Sequence, residues 1–282
     1  MDPLKNWKKQ HDYLLCIDSD GTVMDTMDIK HQRCFGPCMI QCWNLEEWAV
    51  AIQAHWDRVN LYTVTRGINR FKGLAEALSW VDGHCRSIEG IGDLVAWVNT
   101  TEELSGQSLT EAINVGPDKA ILKQALTWHN AVNQCIDNLP EEACAPFVGV
   151  GQALEEARAF CDIAVVSSAN GKAVIDEWTR YGFMPFVDLL LTQEVGKKAD
   201  CIAALLTKGY EQNHILVLGD AEGDLKAAQS NGVLFYPIQV RNEKESWERF
   251  SRECFEPFLN LEYAGALQET QIKAFYNNLS KN

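Results

Sequence analysis

The stretch CIDSDGTVMD, residues 16–25, brings Asp18, Asp20 and Asp25 together directly behind an apolar run. That run, Tyr13-Leu14-Leu15-Cys16-Ile17, is continuous rather than alternating, which predicts a strand covered on both faces. Gly21 then lets the backbone turn sharply. Two carboxylates at the end of a buried strand repel each other and are costly to desolvate unless a cation compensates. The carboxyl ends of strands are also where open α/β sheets bind ligands.

The same rhythm returns much later in the chain. Short apolar runs at 163–166, 187–191, 215–218 and 233–236 alternate with helical patterns near 152–160, 171–181, 198–208 and 223–230. This is a βαβ series and predicts an α/β fold with a parallel sheet. The strand at 13–17 belongs with that series, so the mostly helical stretch 25–146 is an insertion after the first strand. Within it, 71–80 and 121–136 repeat apolar residues at helical spacing, with Pro117 near a helix start. The tail, 241–282, reads as helical, with Trp247, Phe250, Phe255 and Phe258 available for packing on the core or the insertion.

A chain of 282 residues with 46% hydrophobic content can build one large domain or two. Its formal charge of −14 argues against non-specific binding to nucleic acid or acidic membranes. No apolar run spans a bilayer, and MDPLKNWKKQHDY does not read as a signal peptide. The ten cysteines include no C-x-x-C pair. Cys34, Cys38 and Cys42 would align on a helix, but Gly36-Pro37 is expected to interrupt it, so packed or surface thiols are the expectation. Free thiols without an export signal point to a reducing cytoplasm.

Three clusters follow the later strands. ValValSerSerAlaAsn (165–170) sets Ser167, Ser168 and Asn170 ahead of a helix whose free amides favour an anion. Gly196-Lys197-Lys198 opens the next helix with two ammonium groups, and Gly219-Asp220 ends a strand with Asp224 four residues on. Each alone fits ordinary capping or a solvated surface. Together they fall at, or just beyond, the carboxyl ends of one sheet.

In this order the residues resemble the haloacid dehalogenase-like (HAD) superfamily. Asp18-Ser19-Asp20-Gly21-Thr22 matches its D-x-D-G-T motif, Ser167 its hydroxyl after a strand, and Gly219-Asp220 with Asp224 its G-D-x-x-x-D motif. Its lysine is matched best by Lys198, which continues in helical register through Ile202, with Lys197 as a rival. The resemblance implies a Rossmann-like core over 1–24 and 147–240 and a helical cap over 25–146. The tail has no counterpart in the family pattern.

The resemblance also implies the chemistry. Asp18 would attack phosphorus and form an aspartyl-phosphate, and Asp20 would protonate the leaving alcohol and then activate water. Ser167 and the lysine would bind the transferring phosphoryl, with Ser168 and Asn170 beside them. Mg²⁺ would be held by Asp18, the Asp20 carbonyl and Asp220, with Asp224 behind. An acid at Asp20 favours phosphate monoesters, so a small phosphorylated metabolite is the implied substrate. A phosphosugar mutase or a catalytically silent phosphate-binding module are the alternatives. A phospho-receiver domain lacks the motif order, and Gly149-Val150-Gly151 lacks the third glycine of a dinucleotide fingerprint.

The segment 58–72 carries Arg58, Arg66, Arg70 and Lys72 and no acid. Arg66 and Arg70 are therefore candidates for a second negative charge on the leaving group. A solvated or internally paired basic face is the alternative.

Overall fold

The computed structural model describes residues 3–140 and 143–280. Among these, five strands form one parallel sheet in the order β3-β2-β1-β4-β5: β1 (Tyr13–Ile17), β2 (Cys161–Val166), β3 (Leu189–Leu191), β4 (Ile215–Gly219) and β5 (Leu234–Pro237). β1 is central, with Leu15 opposite Ile163 in β2 and Leu216 in β4. Leu14 to Ile17 are essentially fully buried, as their unbroken apolarity demands.

The chain divides into two compact units, Met1–Thr26 with Glu141–Asn282, and Met27–Pro140. The second unit is helical: α1 (Met27–Lys30), α2 (Gly36–Cys42), α3 (Ala49–Asp57), α4 (Arg70–His84), α5 (Ile91–Thr100), α6 (Gly106–Val115) and α7 (Ala120–Asp137). It has its own core, in which Trp56, Phe71, Leu74, Leu78 and Trp128 are buried. Phe71 meets Trp97 edge to face at 5.2 Å.

Two expectations for this region are corrected. Gly36-Pro37 does not interrupt the helical path; a π-helical turn, His31–Phe35, leads straight into α2 with Pro37 in its first turn. Proline is tolerated there because the π-turn shifts the ladder, with the Gly36 N–H bonded to the His31 carbonyl five residues back, at the point where Pro37 lacks its own N–H. The cysteines are also not all free. Packing of α7 against the π-turn brings Cys34 and Cys135 to a Cα separation of 5.5 Å, and the two form a disulfide. The other eight cysteines are free.

In the first unit the helices are α8 (Val150–Ala157), α9 (Gly171–Arg180), α10 (Lys198–Leu206), α11 (Glu222–Asn231), α12 (Glu243–Arg249), α13 (Phe255–Leu259) and α14 (Ala266–Leu279). The tail belongs to this unit and packs on the sheet. Trp247, Phe250 and Phe258 join the core of Leu15, Ile17, Ile163 and Leu216. The tail also closes an edge: the Phe235 N–H of β5 donates to Gln268 Oε1, and its carbonyl accepts from the Tyr263 hydroxyl. An edge strand's free backbone groups are thereby paired within the chain. Chain exit and return are tied together, since Asp25 N–H donates to the Ala145 carbonyl (2.8 Å) and Phe147 N–H to the Val23 carbonyl (2.9 Å). Among the described residues no helix is long and apolar enough to cross a membrane.

Candidate active site

Asp18 follows β1, and its backbone N–H donates to the Leu218 carbonyl in β4 at 3.0 Å. That bond extends the ladder one rung and sets the Asp18 and Asp220 side chains at neighbouring strand ends. Gly21 has φ 78°, a conformation that side chains disfavour, and it turns the chain after Asp20. The Ser19 carbonyl then accepts the N–H groups of Val23 and Met24, each at 2.9 Å.

Asp18, Asp220 and Asp224 are all buried, and one carboxylate oxygen from each lies within 4.8 Å of the others. Lys198, the first residue of α10, places Nζ 2.8 Å from Asp18 Oδ1 and also donates to Asp224 Oδ1. Lys197, its rival, is exposed. The other Asp224 oxygen accepts the Ala221 N–H at 3.2 Å, which fixes the side chain across the start of α11.

The electrostatics follow from burial. Burial pushes the Asp18 carboxyl up to about 8; Lys198 opposes this, while Asp224 and Asp220 add to it. Burial likewise raises Asp224, again against Lys198. For Lys198, burial lowers the pKa, but the Asp18 and Asp224 carboxylates outweigh it and the ammonium is favoured. Three converging carboxylates are hard oxygen donors, and a small divalent cation such as Mg²⁺ would relieve both their mutual repulsion and their desolvation. The donor set therefore fits Mg²⁺, with Asp18, Asp220 and Asp224 as the residues to hold it. The Asp20 carboxylate is not part of this cluster; its Oδ1 accepts the Thr26 hydroxyl at 2.5 Å.

Ser167 comes directly after β2 and is buried, its Oγ accepting the Ala169 N–H at 3.1 Å. The register sets Ile17 opposite Val165, so Asp18 and Ser167 emerge from adjacent strand ends. Ser168 is exposed. Asn170 caps α9, its Oδ1 accepting the Lys172 N–H, while its Nδ2 donates to Glu194. Glu194 also accepts the Gly171 N–H, so the anion favoured at this helix start is supplied by the chain itself. In the helical unit, Arg66 is buried and donates to the Leu61 carbonyl, and Arg70 donates to Asn133 Oδ1.

Several contributors escaped the sequence reading. The Thr22 hydroxyl donates to Asp220 Oδ1 at 2.8 Å. Trp178 Nε1 donates to the Ser19 hydroxyl, and Trp247 Nε1 to the Thr22 carbonyl, each at 2.9 Å. Only the Thr after the glycine had a signal, through its place in the motif; the indoles lie far along the chain and carry none.

Comparison with solved structures gives distant likenesses. A candidate phosphoglycolate phosphatase from Lactobacillus delbrueckii subsp. bulgaricus is 15% identical with a TM-score of 0.51, over 87% of this chain and 99% of that one. A haloacid dehalogenase-like family hydrolase from Streptococcus pneumoniae is 14% identical with a TM-score of 0.49, over 84% and 90%. A candidate beta-phosphoglucomutase from Thermotoga maritima is 15% identical with a TM-score of 0.44, over 88% and 97%. At such identities the first of these speaks for the fold, and the other two add no weight. No curated protein matches the chain. A family model, haloacid dehalogenase-like hydrolase, matches residues 95–238, just over half of the chain. The match takes in β2 to β5 with Ser167, Lys198, Asp220 and Asp224, while β1 with Asp18 and Asp20 lies before it. The chain belongs to the haloacid dehalogenase-like hydrolase family.

Proposed function

We propose that the chain is a Mg²⁺-dependent phosphate monoester hydrolase acting on a small phosphorylated metabolite. The observation that carries this reading is Lys198 bridging Asp18 and Asp224 at the strand ends, with Asp20 two residues beyond Asp18. Asp18 attacks phosphorus in line, forming an aspartyl-phosphate as the bond to the substrate oxygen breaks. Asp20, oriented by the Thr26 hydroxyl, gives its proton to the leaving oxygen. The same carboxylate then takes a proton from water, which attacks the aspartyl-phosphate and releases inorganic phosphate. The Ser167 hydroxyl and the Lys198 ammonium hold the equatorial oxygens. Bound Mg²⁺ would supply charge neutralisation at the phosphoryl group. The helical unit Met27–Pro140 is the candidate cap, with Arg66 and Arg70 as its candidates for a second negative charge.

The test is turnover of a panel of phosphorylated metabolites with and without Mg²⁺, with product analysis. Release of inorganic phosphate, lost in excess chelator and in Asp18→Asn, is expected. Isomerisation of a sugar phosphate without phosphate release would assign a mutase instead, and no turnover of any ester would leave a silent binding module.

A further inference from the structure

We infer that Trp247, in the C-terminal tail, is a positioning residue for the Asp18–Asp220 site and acts through Thr22; this rests on the reading of that site as the Mg²⁺ centre. Thr22 is completely buried and has two roles. Its carbonyl accepts the Trp247 indole N–H at 2.9 Å, and its hydroxyl donates to Asp220 Oδ1 at 2.8 Å. The indole therefore fixes the peptide that follows Thr22, and with it the direction of the hydroxyl that orients a metal-holding carboxylate. Groups that hydrogen-bond a ligating carboxylate set its orientation and basicity.

The indole is itself held firmly. Trp247 is 1% exposed and meets Phe250 edge to face at 5.9 Å. The preceding residue anchors α12 to β5 and the turn beyond it: the Ser246 carbonyl accepts the Tyr236 hydroxyl at 2.7 Å, and the Ser246 hydroxyl accepts the Gln239 N–H at 3.0 Å. A tail segment outside the four motifs thus reaches their first loop through one rigid donor.

Trp247→Phe keeps an aromatic ring and removes the donor; Phe250→Leu loosens the same tail and leaves the donor in place. Two readouts apply: the Mg²⁺ dissociation constant by calorimetry, and amide hydrogen exchange of Val23 and Met24 in the metal-free protein. Trp247→Phe is expected to weaken Mg²⁺ binding about 10-fold and to speed exchange at Val23 and Met24 while leaving Leu15 unchanged. In a Thr22→Val background, Trp247→Phe should have no further effect on Mg²⁺ binding. Phe250→Leu should lower the Tm and leave both readouts as in the parent. Should Trp247→Phe not fold, β-(3-benzothienyl)alanine at position 247, with sulfur in place of N–H, takes its place. Unchanged exchange at Val23 and Met24 in a folded variant, or equal changes in Phe250→Leu, would overturn the proposal. A parent protein that binds no Mg²⁺ would overturn the metal reading, and the exchange data would still decide the indole's role in the loop.

Discussion

A methyl group on Gly219 would lie 2.3 Å from the Asp224 carboxyl carbon, so the strand end and the carboxylate of the next helix occupy adjoining space that admits no side chain. Gly219→Ala must push Asp224 away, and with it an acceptor of Lys198. Phosphatase activity should fall at least about 100-fold, the upper range for disturbing groups that orient a metal site. Turnover measured beside the Tm checks this: a folded Gly219→Ala protein with near-normal turnover would contradict the role given to Asp224.

Asp18→Asn removes the charge that the proposed mechanism uses for attack while keeping the side-chain shape. Hydrolysis should fall by about 1,000-fold or more, as losses of a covalent nucleophile do. The same change relieves a carboxyl that burial penalises and that Asp224 and Asp220 repel. In chelator, the variant's Tm should therefore equal or exceed the parent's. A turnover assay reads the first effect and calorimetry in chelator the second, and a large drop in the Tm of the metal-free variant would speak against the account of a site strained by repelling carboxylates.

The two adjacent lysines should behave very differently. Lys198→Met takes the ammonium from between Asp18 and Asp224 and should cost about 1,000-fold in kcat, the scale of losing a preorganised charge. Lys197→Ala, at an exposed position, should stay within about threefold of the parent, the range of an ordinary surface change. Steady-state kinetics on one ester separates them. Equal losses at both positions would mean that Lys197 also reaches the phosphoryl group.

His129 gives a pH signature that belongs to the helical unit. Burial, aided by the Arg70 guanidinium 3.3 Å from Nδ1, holds its pKa at about 4, below the ordinary 6.5. Above about 6.5 neither the folded nor the unfolded state protonates it; between 6.5 and 4 only the unfolded state does. Stability is therefore lost as pH falls through that window. His129→Gln, which keeps an acceptor for Asn133, should shrink the drop in Tm between about pH 7 and pH 5. An identical drop in parent and variant would remove His129 from the acid response.

What could be read from the sequence was whatever depends on near neighbours. β1 was legible because five consecutive apolar residues can only be buried on both faces, and Asp18 because it follows them. The preference for Lys198 over Lys197 came from helical register alone, and in the structure Lys198 is the lysine that reaches Asp18. Pairings across the fold left no local trace. Trp178 reaches Ser19 from 159 residues away and Trp247 reaches Thr22 from 225. Cys34 and Cys135 meet across 101 residues. Glu194 at the start of α9 was hidden for the same reason: nothing in its own segment marks it as a cap for a helix more than twenty residues earlier. Gly36-Pro37 misled because proline's meaning depends on whether its missing N–H is needed, and a π-turn removes that need.

The bond from Asp25 to the Ala145 carbonyl bears on how the chain finds its fold. Joining Leu15 to Ile163 directly would close a loop of ~150 residues, and the entropy of closure grows with the logarithm of that length. If Met27–Pro140 collapses first on its own aromatic core and the Asp25 rung forms, the loop still to be closed shrinks to ~30 residues, an advantage of about 1.4 kcal/mol or tenfold in rate. The long insertion then acts as a body of pre-formed structure that delivers the two central strands to each other, and the strand that leads into Asp18 is completed by residues synthesised well after it.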